Sequence, residues 1–378
     1  MTRRRILYYC QSLVGIGHLT ASLRIARELL AHHDVDFIQG GLDVATGLAA
    51  LLQRHAGYRN LKLATLLHDD DTGGLADPEG GAPIDALWQA RASAISAFLR
   101  PPYAAIVVEF FPFGRRRFRR EIYALFDAVR AASGAIPIFC SVREVLIPAD
   151  ARTEQKIVAM VDKHIHTIFV RGDPAIVALD ETFAQADAIR PKLVYTGYVA
   201  PDAPTAWPPR QKKILVSQGG GDVGRELLRA ATLTAPSLPD YRFVLAAGSR
   251  TAKERIEELR AEARSDNVEV VPFLPDFQHH LLESALSISL GGDNTMLDVI
   301  TTRTPALAYP YQGSSEQAVR IAKLGAAGFV HALEPTDLDP ERLRAKIEHA
   351  LATPYPQHRI AADGARLTAE AIGAMVAR

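Results

Sequence analysis

The chain has 378 residues, with 43 basic and 43 acidic side chains and 48% apolar residues. This length is typical of two domains or one large one, and the apolar content suffices for a sizeable core, which excludes an intrinsically disordered chain. The balanced charge gives no reason to expect a nucleic-acid partner.

Cysteine usage and hydropathy indicate the compartment. The two cysteines, Cys10 and Cys140, lie in apolar strand-like runs, so we interpret them as buried thiols in a reducing environment. No uncharged apolar run approaches the roughly 20 residues of a membrane span. The basic amino terminus resembles the start of a signal peptide, but Gly15, Gly17 and His18 interrupt the apolar region that would have to follow. We therefore expect a cytoplasmic protein.

Strand-like apolar runs alternate with helical patterns along the first half of the chain. Apolar residues at helical spacing over Leu19–Leu30 follow the first strand candidate. The strand candidates in this half are Ile6–Cys10, Val35–Ile38, Ala105–Val108 and Ile136–Cys140. Such alternation predicts a parallel sheet with helices on both faces.

A proline-rich segment, Ala200–Pro209, divides the chain, because four prolines in ten residues cannot continue a helix or a central strand. We predict a first domain over residues 1–199, a linker over 200–211, a second domain over 212–362 and a last helix over 363–378.

The same alternation restarts after the linker. Its strand candidates are Lys213–Val216, Phe243–Ala247, Val268–Val271, Leu286–Leu290 and Ala306–Tyr309. Its helix candidates are Arg225–Ala235 and Lys253–Ala263. The predicted fold class is α/β, with two doubly wound Rossmann-like domains that face a cleft, where such folds bind ligands.

The loop after the first strand, Ser12–Thr20, contains Gly15, Gly17 and His18. Glycines allow backbone amides to approach a ligand, and the start of the following helix favours negative charge. The spacing departs from the dinucleotide fingerprint and does not favour a nicotinamide enzyme. His18 is a candidate general base, because an imidazole titrates near neutrality. The alternative is a histidine that packs under the loop.

Charged residues follow two later strands of the first half. Glu109 ends a strand candidate and is a second candidate for the catalytic base or for an acceptor contact. Five of the six residues in Arg115–Arg120 are arginines, which suit an anionic acceptor, an acidic membrane surface or a solvated helix face. Arg143, after the strand that contains Cys140, is a further candidate contact for an acceptor or an anion.

The loop Ser217–Gly221 follows the first strand of the second half and precedes a helix. Gln218, Gly219 and Gly220 offer exposed amides at a helix amino terminus, which suits phosphate. The loop lacks the lysine and hydroxyl residue of a P-loop, so ATP hydrolysis is disfavoured.

Two further loops of the second half carry polar groups at the ends of strands. After Leu286–Leu290, the backbone at Gly292 and the side chains of Asn294 and Thr295 could bind a diphosphate, and Asp298, one turn later, a ribose diol. After Ala306–Tyr309 come two residues suited to neighbouring sugar hydroxyls, Glu316 and Gln317.

The order of these loops resembles the donor domain of GT-B glycosyltransferases. The resemblance is to the peptidoglycan N-acetylglucosaminyltransferase and to bacterial predicted glycosyltransferases with a Gly-Gly-Tyr-Asn-Thr element. It implies that Gly17 and His18 belong to a glycine-rich first loop near the donor and the reaction centre. The resemblance implies three sets of residues at the donor phosphates and nucleotide base: Ser217, Gln218, Gly219 and Gly220 near the phosphates, Gly292, Asn294 and Thr295 at the diphosphate, and Phe273 and Leu274 at the nucleotide base. It also implies Asp298 at the ribose, and Glu316 and Gln317 at the sugar.

Three departures from the family pattern concern substrates. Asp298 stands in place of a glutamate, Asp293 in place of a tyrosine, and the first loop lacks the fuller glycine run and proline of the peptidoglycan enzyme. They leave the donor open and argue against the lipid-linked peptidoglycan precursor as acceptor.

The resemblance implies a glycosyltransferase, hexosyl or N-acetylhexosaminyl, that is metal-independent and inverting. The donor would be UDP-linked, such as UDP-N-acetylglucosamine, and the unidentified acceptor a small molecule or lipid-linked. The nucleotide sugar is a co-substrate, so we expect no cofactor. The metal-type pair Asp34-Val-Asp36 is placed ahead of a strand, away from these loops. The resemblance also implies that the last helix packs back on the first domain.

Three alternative functions would use the same nucleotide-sugar donor site. They are a nucleotide-sugar hydrolase, a non-hydrolysing epimerase and a non-catalytic nucleotide-sugar-binding protein. The sequence indicates no oligomeric state.

Overall fold

The computed structural model describes residues 3–13, 17–41, 47–68, 74–78, 80–219, 223–248 and 251–377. The chain divides into two compact units. Unit 1 consists of Met1–Val199 and Ala361–Arg378, and unit 2 of Ala200–Ile360. Each unit is an α/β fold around a parallel sheet, which confirms the predicted class of two Rossmann-like domains.

Unit 1 contains nine described strands. They are β1 Arg4–Gln11, β2 His33–Gly40, β3 Tyr58–Lys62, β4 Leu67–His68, β5 Leu75–Ala76, β6 Ala105–Glu109, β7 Ile138–Arg143, β8 Thr167–Arg171 and β9 Leu193–Tyr195. Seven of them form one parallel sheet in the order β3-β2-β1-β6-β7-β8-β9, and β4 pairs with β5 in a separate antiparallel ribbon. Side chains over Ile6–Cys10 are fully buried, because helices cover both faces of a parallel sheet.

The described helices of unit 1 flank this sheet. They are α1 Gly17–Leu29, α2 Gly47–Gln53, α3 Ile84–Phe98, α4 Arg119–Ser133, α5 Ala151–His164, α6 Ala186–Ile189 and the last helix of the chain, α13 Gly364–Ala377. Helix α13 lies in the same hydrophobic cluster as α1, with Ile372 and Val376 buried beside Leu23. Burial of each such side chain contributes about 1.5–3 kcal/mol.

The connection into α13 requires a glycine. Tyr198 donates a backbone hydrogen bond to Ala361 (2.7 Å) and accepts one from Gly364 (2.9 Å). A Cβ atom on Gly364 would lie 2.1 Å from the carbonyl oxygen of Gly197. The chain therefore returns to unit 1 through a backbone contact that a side chain would obstruct.

Unit 2 contains six described strands and six described helices. They are β10 Gln211–Ser217, α7 Arg225–Thr234, β11 Arg242–Ala246, α8 Lys253–Glu262, β12 Val268–Val271, α9 Phe277–Glu283, β13 Ser284–Ser289, α10 Asp293–Thr301, β14 Ala306–Ala308, α11 Ser315–Ala326, β15 His331–Ala332 and α12 Pro340–Ala352. The parallel sheet has the order β12-β11-β10-β13-β14-β15. The proline-rich segment 200–209 belongs to this unit and leads into β10.

Both sheets have the doubly wound strand order, in which the winding direction reverses beside the first strand. The reversal lies between β1 and β6 in unit 1 and between β10 and β13 in unit 2. Ligands of such sheets bind outside the carboxyl ends of the strands at this point. The residues that follow these four strands are therefore the candidates for a ligand site.

The position assigned to Asp34 and Asp36 from the sequence is wrong. Both residues lie within β2, not ahead of a strand. Asp36 is buried and accepts hydrogen bonds from Arg59 (2.8 Å) and from the hydroxyl of Tyr103 (2.7 Å). Its carboxylate therefore holds neighbouring elements of unit 1 together.

No helix in the described part of the chain is long and apolar enough to cross a membrane.

Candidate active site

His18 and Glu109 form a hydrogen-bonded pair at the switch point of unit 1. His18 is the second residue of α1, directly after the loop that leaves β1, and Glu109 is the last residue of β6. The Nδ1 atom of His18 lies 2.5 Å from Oε1 of Glu109, and the two side chains are 11% and 0% exposed. The neighbouring positions of β1 and β6 thus bring both candidate bases together.

Arg143 contacts the other ring nitrogen of His18. Its Nη2 atom lies 2.9 Å from Nε2 of the imidazole. A guanidinium has only donors, so Nε2 must accept and carries no proton. Nδ1 therefore carries the proton of the neutral ring and donates it to Glu109.

Arg171 is a member of this charged group that the sequence did not single out. It is the last residue of β8, and its Nη2 atom donates to Oε1 of Glu109 at 3.1 Å. Parallel register places Arg143 opposite Arg171 and Ser141 opposite Glu109. The available signal was its position at the carboxyl end of an apolar strand, because such ends meet at one edge of a parallel sheet.

The ring of Phe110 lies beneath this group. His18 packs edge-on against it, with ring centroids 5.0 Å apart, and the guanidinium carbons of Arg115 and Arg143 lie 5.5 and 5.2 Å from its centroid. A Cβ atom on Gly114 would lie 2.3 Å from the Phe110 ring, so the turn after β6 needs a glycine there. Phe110 itself has a φ of 64°, an uncommon conformation for a residue with a side chain.

The protonation states follow from burial and from these charges. Burial lowers the pKa of His18 to about 4, and Arg143 and Arg115 act in the same direction against the opposing effect of Glu109. Burial alone would raise the pKa of Glu109, but His18 and the guanidinium groups of Arg171 and Arg115 hold it at about 2. At neutral pH the pair is a neutral imidazole beside an ionised carboxylate.

At the switch point of unit 2, two loops follow β10 and β13. Ser217 is the buried last residue of β10, and Gly219 has a φ of 79°, which favours glycine. The Nε2 atom of Gln218 donates to the carbonyl oxygen of Ala247 and to Oγ1 of Thr251 (2.9 Å). The side chain of Gln218 thus joins two loops of unit 2. Gly220, predicted at the donor phosphates, lies outside the described residues.

The loop after β13 leads directly into α10. Gly291 has a φ of 69°, and a Cβ atom there would lie 2.5 Å from Cδ1 of Ile321. Gly292 precedes the first residue of α10, and a Cβ atom there would meet no described atom within 4 Å. Asn294 and Thr295 lie in the first turn and are partly exposed. An open helix amino terminus of this kind is suited to a phosphate group.

Charged groups of α10 and α11 are connected beside this loop. The Nε atom of Arg320, a buried residue of α11, lies 3.5 Å from Oδ1 of Asp293. The negative charge of Asp293, which stands in place of a tyrosine in the family pattern, is therefore compensated by Arg320. Asp298 is partly buried one turn further along α10.

The loop after β14 ends in a capped helix start. Ser314 caps α11 by accepting from the backbone of Gln317 (3.4 Å), and Oε1 of Gln317 accepts from the backbone of Tyr311 (2.9 Å). Glu316 is 9% exposed. Gln317 thus fixes the loop through its side-chain oxygen and retains its amide nitrogen as a donor.

The residues predicted to contact the base of the donor nucleotide lie at the end of a different strand. Phe273, 62% exposed, and Leu274 follow β12, the outer strand of the sheet, and not the switch-point strands. Among the described residues, no group of three His, Cys, Asp or Glu side chains converges as a metal site would.

Residues 215–371 match the family model of the glycosyltransferase family 28 C-terminal domain. The matched segment begins within β10, includes the other described strands of unit 2 and helices α7 to α12, and extends into α13.

Relatives of known name match parts of the chain. One relative is the UDP-N-acetylglucosamine–N-acetylmuramyl-(pentapeptide) pyrophosphoryl-undecaprenol N-acetylglucosamine transferase of Methylobacterium radiotolerans. The two sequences are 35% identical over 101 residues, and this alignment covers 26% of this chain and 27% of that protein. The chain is 26% identical over 214 residues to the transferase of the same name from Rhizobium etli, which covers 52% of this chain and 56% of that protein. The chain thus spans from about a quarter to just over half the length of these relatives.

Solved structures resemble the chain over nearly its full length. The glycotransferase of kitacinnamycin matches with a TM-score of 0.64 at 15% identity and covers 100% of both chains. MurG of Acinetobacter baumannii matches with a TM-score of 0.61 at 15% identity and covers 98% of this chain and 100% of that chain. At these identities the likeness establishes the fold, and the predicted GT-B fold is confirmed.

The arginine run Arg115–Arg120 does not act as one face of a helix. Arg115 lies against Phe110, whereas Arg119 and Arg120 are exposed at the start of α4. Phe118 between them is fully buried, as expected from the sequence. Arg115 of this run and Arg143 at the end of β7, both predicted as anion contacts, thus lie in the group around His18 and Phe110.

Proposed function

We propose that this chain is a glycosyltransferase that moves a sugar from a UDP-linked donor, such as UDP-N-acetylglucosamine, to a hydroxyl group of an acceptor. The relatives that share its carboxyl-terminal domain are named for transfer from that donor. The observation that carries the proposal is the buried carboxylate–imidazole pair of Glu109 and His18, because nucleotide-sugar binding alone needs no such pair.

Unit 2 is proposed to bind the donor. The amides at Gly219 and Gly292 and the side chains of Asn294 and Thr295 would hold the diphosphate at two loops of one switch point. Asp298 would accept hydrogen bonds from the ribose, and Glu316 with Gln317 would contact the sugar. The leaving diphosphate would be stabilised by helix amino termini, so the proposed reaction requires no metal.

Unit 1 is proposed to supply the base. The acceptor hydroxyl gives its proton to Nε2 of His18 while its oxygen bonds to the anomeric carbon of the donor. The bond from that carbon to the diphosphate breaks, and its electron pair leaves with UDP. Glu109 keeps the imidazole in the required tautomer through Nδ1 and stabilises the imidazolium that forms, and Arg171 orients Glu109. Attack from the face opposite the leaving group would invert the anomeric configuration.

The proposal is tested by UDP release from UDP-N-acetylglucosamine, with and without a set of hydroxyl acceptors that includes free sugars and polyprenyl-linked sugars. We expect release that depends on an acceptor and yields a glycosylated product. His18→Gln should lower the rate by roughly 10²–10⁴-fold and leave donor binding intact. His32→Gln, at an exposed histidine of the same unit, should change neither.

Two results would contradict the proposal. UDP release at the full rate without acceptor would indicate a hydrolase. Donor binding without UDP release, with or without acceptors, would indicate a nucleotide-sugar-binding protein if His18→Gln also left donor binding unchanged.

A further inference from the structure

Both ring nitrogens of His18 are occupied in the free protein. Nδ1 donates to Glu109, and Nε2 accepts from Arg143. The lone pair on Nε2 is the one that a general base must offer to a hydroxyl group. While Arg143 holds it, His18 cannot take the proton of an acceptor.

We propose that Arg143 blocks the base in the free protein, and that an acceptor with a phosphate or carboxylate group beside its reacting hydroxyl releases the base by drawing the guanidinium away. This inference rests on the proposed function of His18. It makes Arg143 a positioning residue that selects anionic acceptors.

The strength of the competing contacts favours such an exchange. Arg143 meets a neutral nitrogen at His18, through one Nη2 atom. Phosphate and carboxylate groups bind a guanidinium through charge-assisted and frequently bidentate hydrogen bonds, which are roughly twice as strong as neutral ones. An anion in reach would therefore outcompete the imidazole for Arg143.

The arrangement provides a place for this anion. The guanidinium groups of Arg115 and Arg143 both lie within 5.5 Å of the Phe110 centroid, and both side chains are partly exposed. Arg171 is buried against Glu109 on the inner side. An anion that enters beside His18 is therefore attracted by both guanidinium groups, which also act on the charge of the imidazole.

Release of Arg143 would also make His18 a stronger base. The charged groups that face the imidazole are Glu109 on β6, Arg115 before α4, Arg143 at the end of β7, and Arg171 at the end of β8 through its bond to Glu109. Arg143 and Arg115 disfavour the imidazolium ion, so withdrawal of one and neutralisation of the other by an anion raise the proton affinity of Nε2.

The test is the titration of His18 by NMR of its ring nitrogens in the full chain, which requires neither donor nor transfer. In the unmodified protein we expect the Nδ1–H tautomer and a pKa near 4. Inorganic phosphate or acetate should raise this pKa by about one unit or more, a tenfold change in proton affinity. Separate phosphate and acetate titrations distinguish the two classes of anion.

Two variants of Arg143 and a control decide the result. Arg143→Gln should show the raised pKa without any anion, with little further change on addition of phosphate, and Arg143→Lys should keep a partial response. Arg152→Ala, at an exposed arginine of α5, should titrate like the parent protein. The proposal is overturned if Arg143→Gln leaves the pKa of His18 unchanged, or if phosphate raises the pKa of His18 equally in that variant and in the parent.

An activity measurement separates this inference from the proposed function. Acceptors are compared in matched pairs that differ in one anionic group, such as glucose with glucose 6-phosphate and glucose with glucuronic acid. The parent protein should transfer faster to the anionic member, and Arg143→Gln should reduce that preference at least tenfold, mainly through KM. Equal transfer to both members by the parent protein would overturn the inference alone, whereas absence of transfer in every pair, with the expected NMR response, would count against the proposed function.

Discussion

Glu109 accepts a hydrogen bond from His18 across 91 positions of sequence, with Oε1 2.5 Å from Nδ1 of the imidazole. The contact exists because β1 and β6 are neighbours in the sheet, so that the loop after one and the last residue of the other meet at the switch point. The two residues therefore form one hydrogen-bonded pair.

Glu109→Gln should slow sugar transfer without weakening donor binding. An amide can still accept from Nδ1, but it cannot stabilise the imidazolium formed when Nε2 takes a proton. We expect a decrease in kcat of roughly 10²–10⁴-fold and an unchanged affinity for UDP-N-acetylglucosamine, measured by steady-state kinetics and calorimetry. Equal kcat values for variant and parent would exclude a role for the carboxylate in catalysis.

Protonation of His18 should contribute to loss of stability in acid. Its pKa is about 4 in the folded protein against a usual 6.5, so between these values the unfolded chain binds the proton and the folded chain does not. The free energy of unfolding should therefore decrease as the pH falls from 6.5 towards 4, by on the order of 2 kcal/mol from this group.

Urea unfolding at several pH values measures that contribution. His18→Gln should lose this part of the pH dependence, whereas His32→Gln should keep it. An unchanged slope between pH 6.5 and 4 in His18→Gln would contradict a lowered pKa of His18.

The adjacent glycines before α10 should respond differently to alanine. Gly291→Ala places a Cβ atom 2.5 Å from Ile321 at a positive φ, and we expect it to lower the free energy of unfolding by roughly 1–3 kcal/mol. Gly292→Ala meets no described atom within 4 Å and has an ordinary φ of −60°, so stability should change by less than about 0.5 kcal/mol.

The proposed diphosphate site makes a further distinction between these variants. The methyl group of Gly292→Ala would occupy the space assigned to the diphosphate, and affinity for UDP should fall at least tenfold. Calorimetric titration with UDP measures this effect. Unchanged affinity in a stable Gly292→Ala protein would place the diphosphate elsewhere.

A buried ion pair behind β1 should be important for the stability of unit 1. Arg91, fully buried, donates to both carboxylate oxygens of Glu121 (2.8 and 2.7 Å) and to Oε1 of Gln11 (2.9 Å), and Tyr9 donates to Glu121 (2.5 Å). Arg91→Met leaves a buried carboxylate uncompensated and should cost about 3–5 kcal/mol.

Replacement of both charges provides the control for that loss. Arg91→Met combined with Glu121→Leu removes the unpaired charge and should recover a large part of the stability in chemical unfolding. A double variant less stable than Arg91→Met alone would show that the pair acts through something other than charge compensation.

The main strands could be predicted from the sequence because their side chains are buried on both faces and form continuous apolar runs. β1 begins two residues before and ends one residue after its predicted segment, and β13 begins two residues before and ends one residue before its predicted segment. The edge strand Val268–Val271 has the predicted bounds, although only Val270 in it is buried. The edge strands Tyr58–Lys62, Leu193–Tyr195 and His331–Ala332 are short or carry polar side chains, and no clear periodic pattern marks them.

The contacts within the site depend on strand order, which no local pattern contains. His18 and Glu109 were alternatives for one role, and their mutual hydrogen bond becomes visible only once β6 is known to lie beside β1. Arg171 is one arginine at the end of an apolar run, and its partner is distant in sequence. Gln218, expected at the donor phosphates, has its side-chain amide bonded to a neighbouring loop.

The most direct test of the account is the thermal stability of the purified protein with UDP-, dTDP-, GDP- and CMP-linked sugars, because a ligand that binds the folded state raises Tm with concentration. We predict that UDP-linked sugars raise Tm, that Asp298→Ala and Glu316→Ala abolish the rise, and that Asp240→Ala, at an exposed acid paired with Lys212, preserves it. If no nucleotide sugar changes Tm, or if Asp298→Ala and Glu316→Ala respond as strongly as the parent, the donor site proposed in unit 2 is wrong.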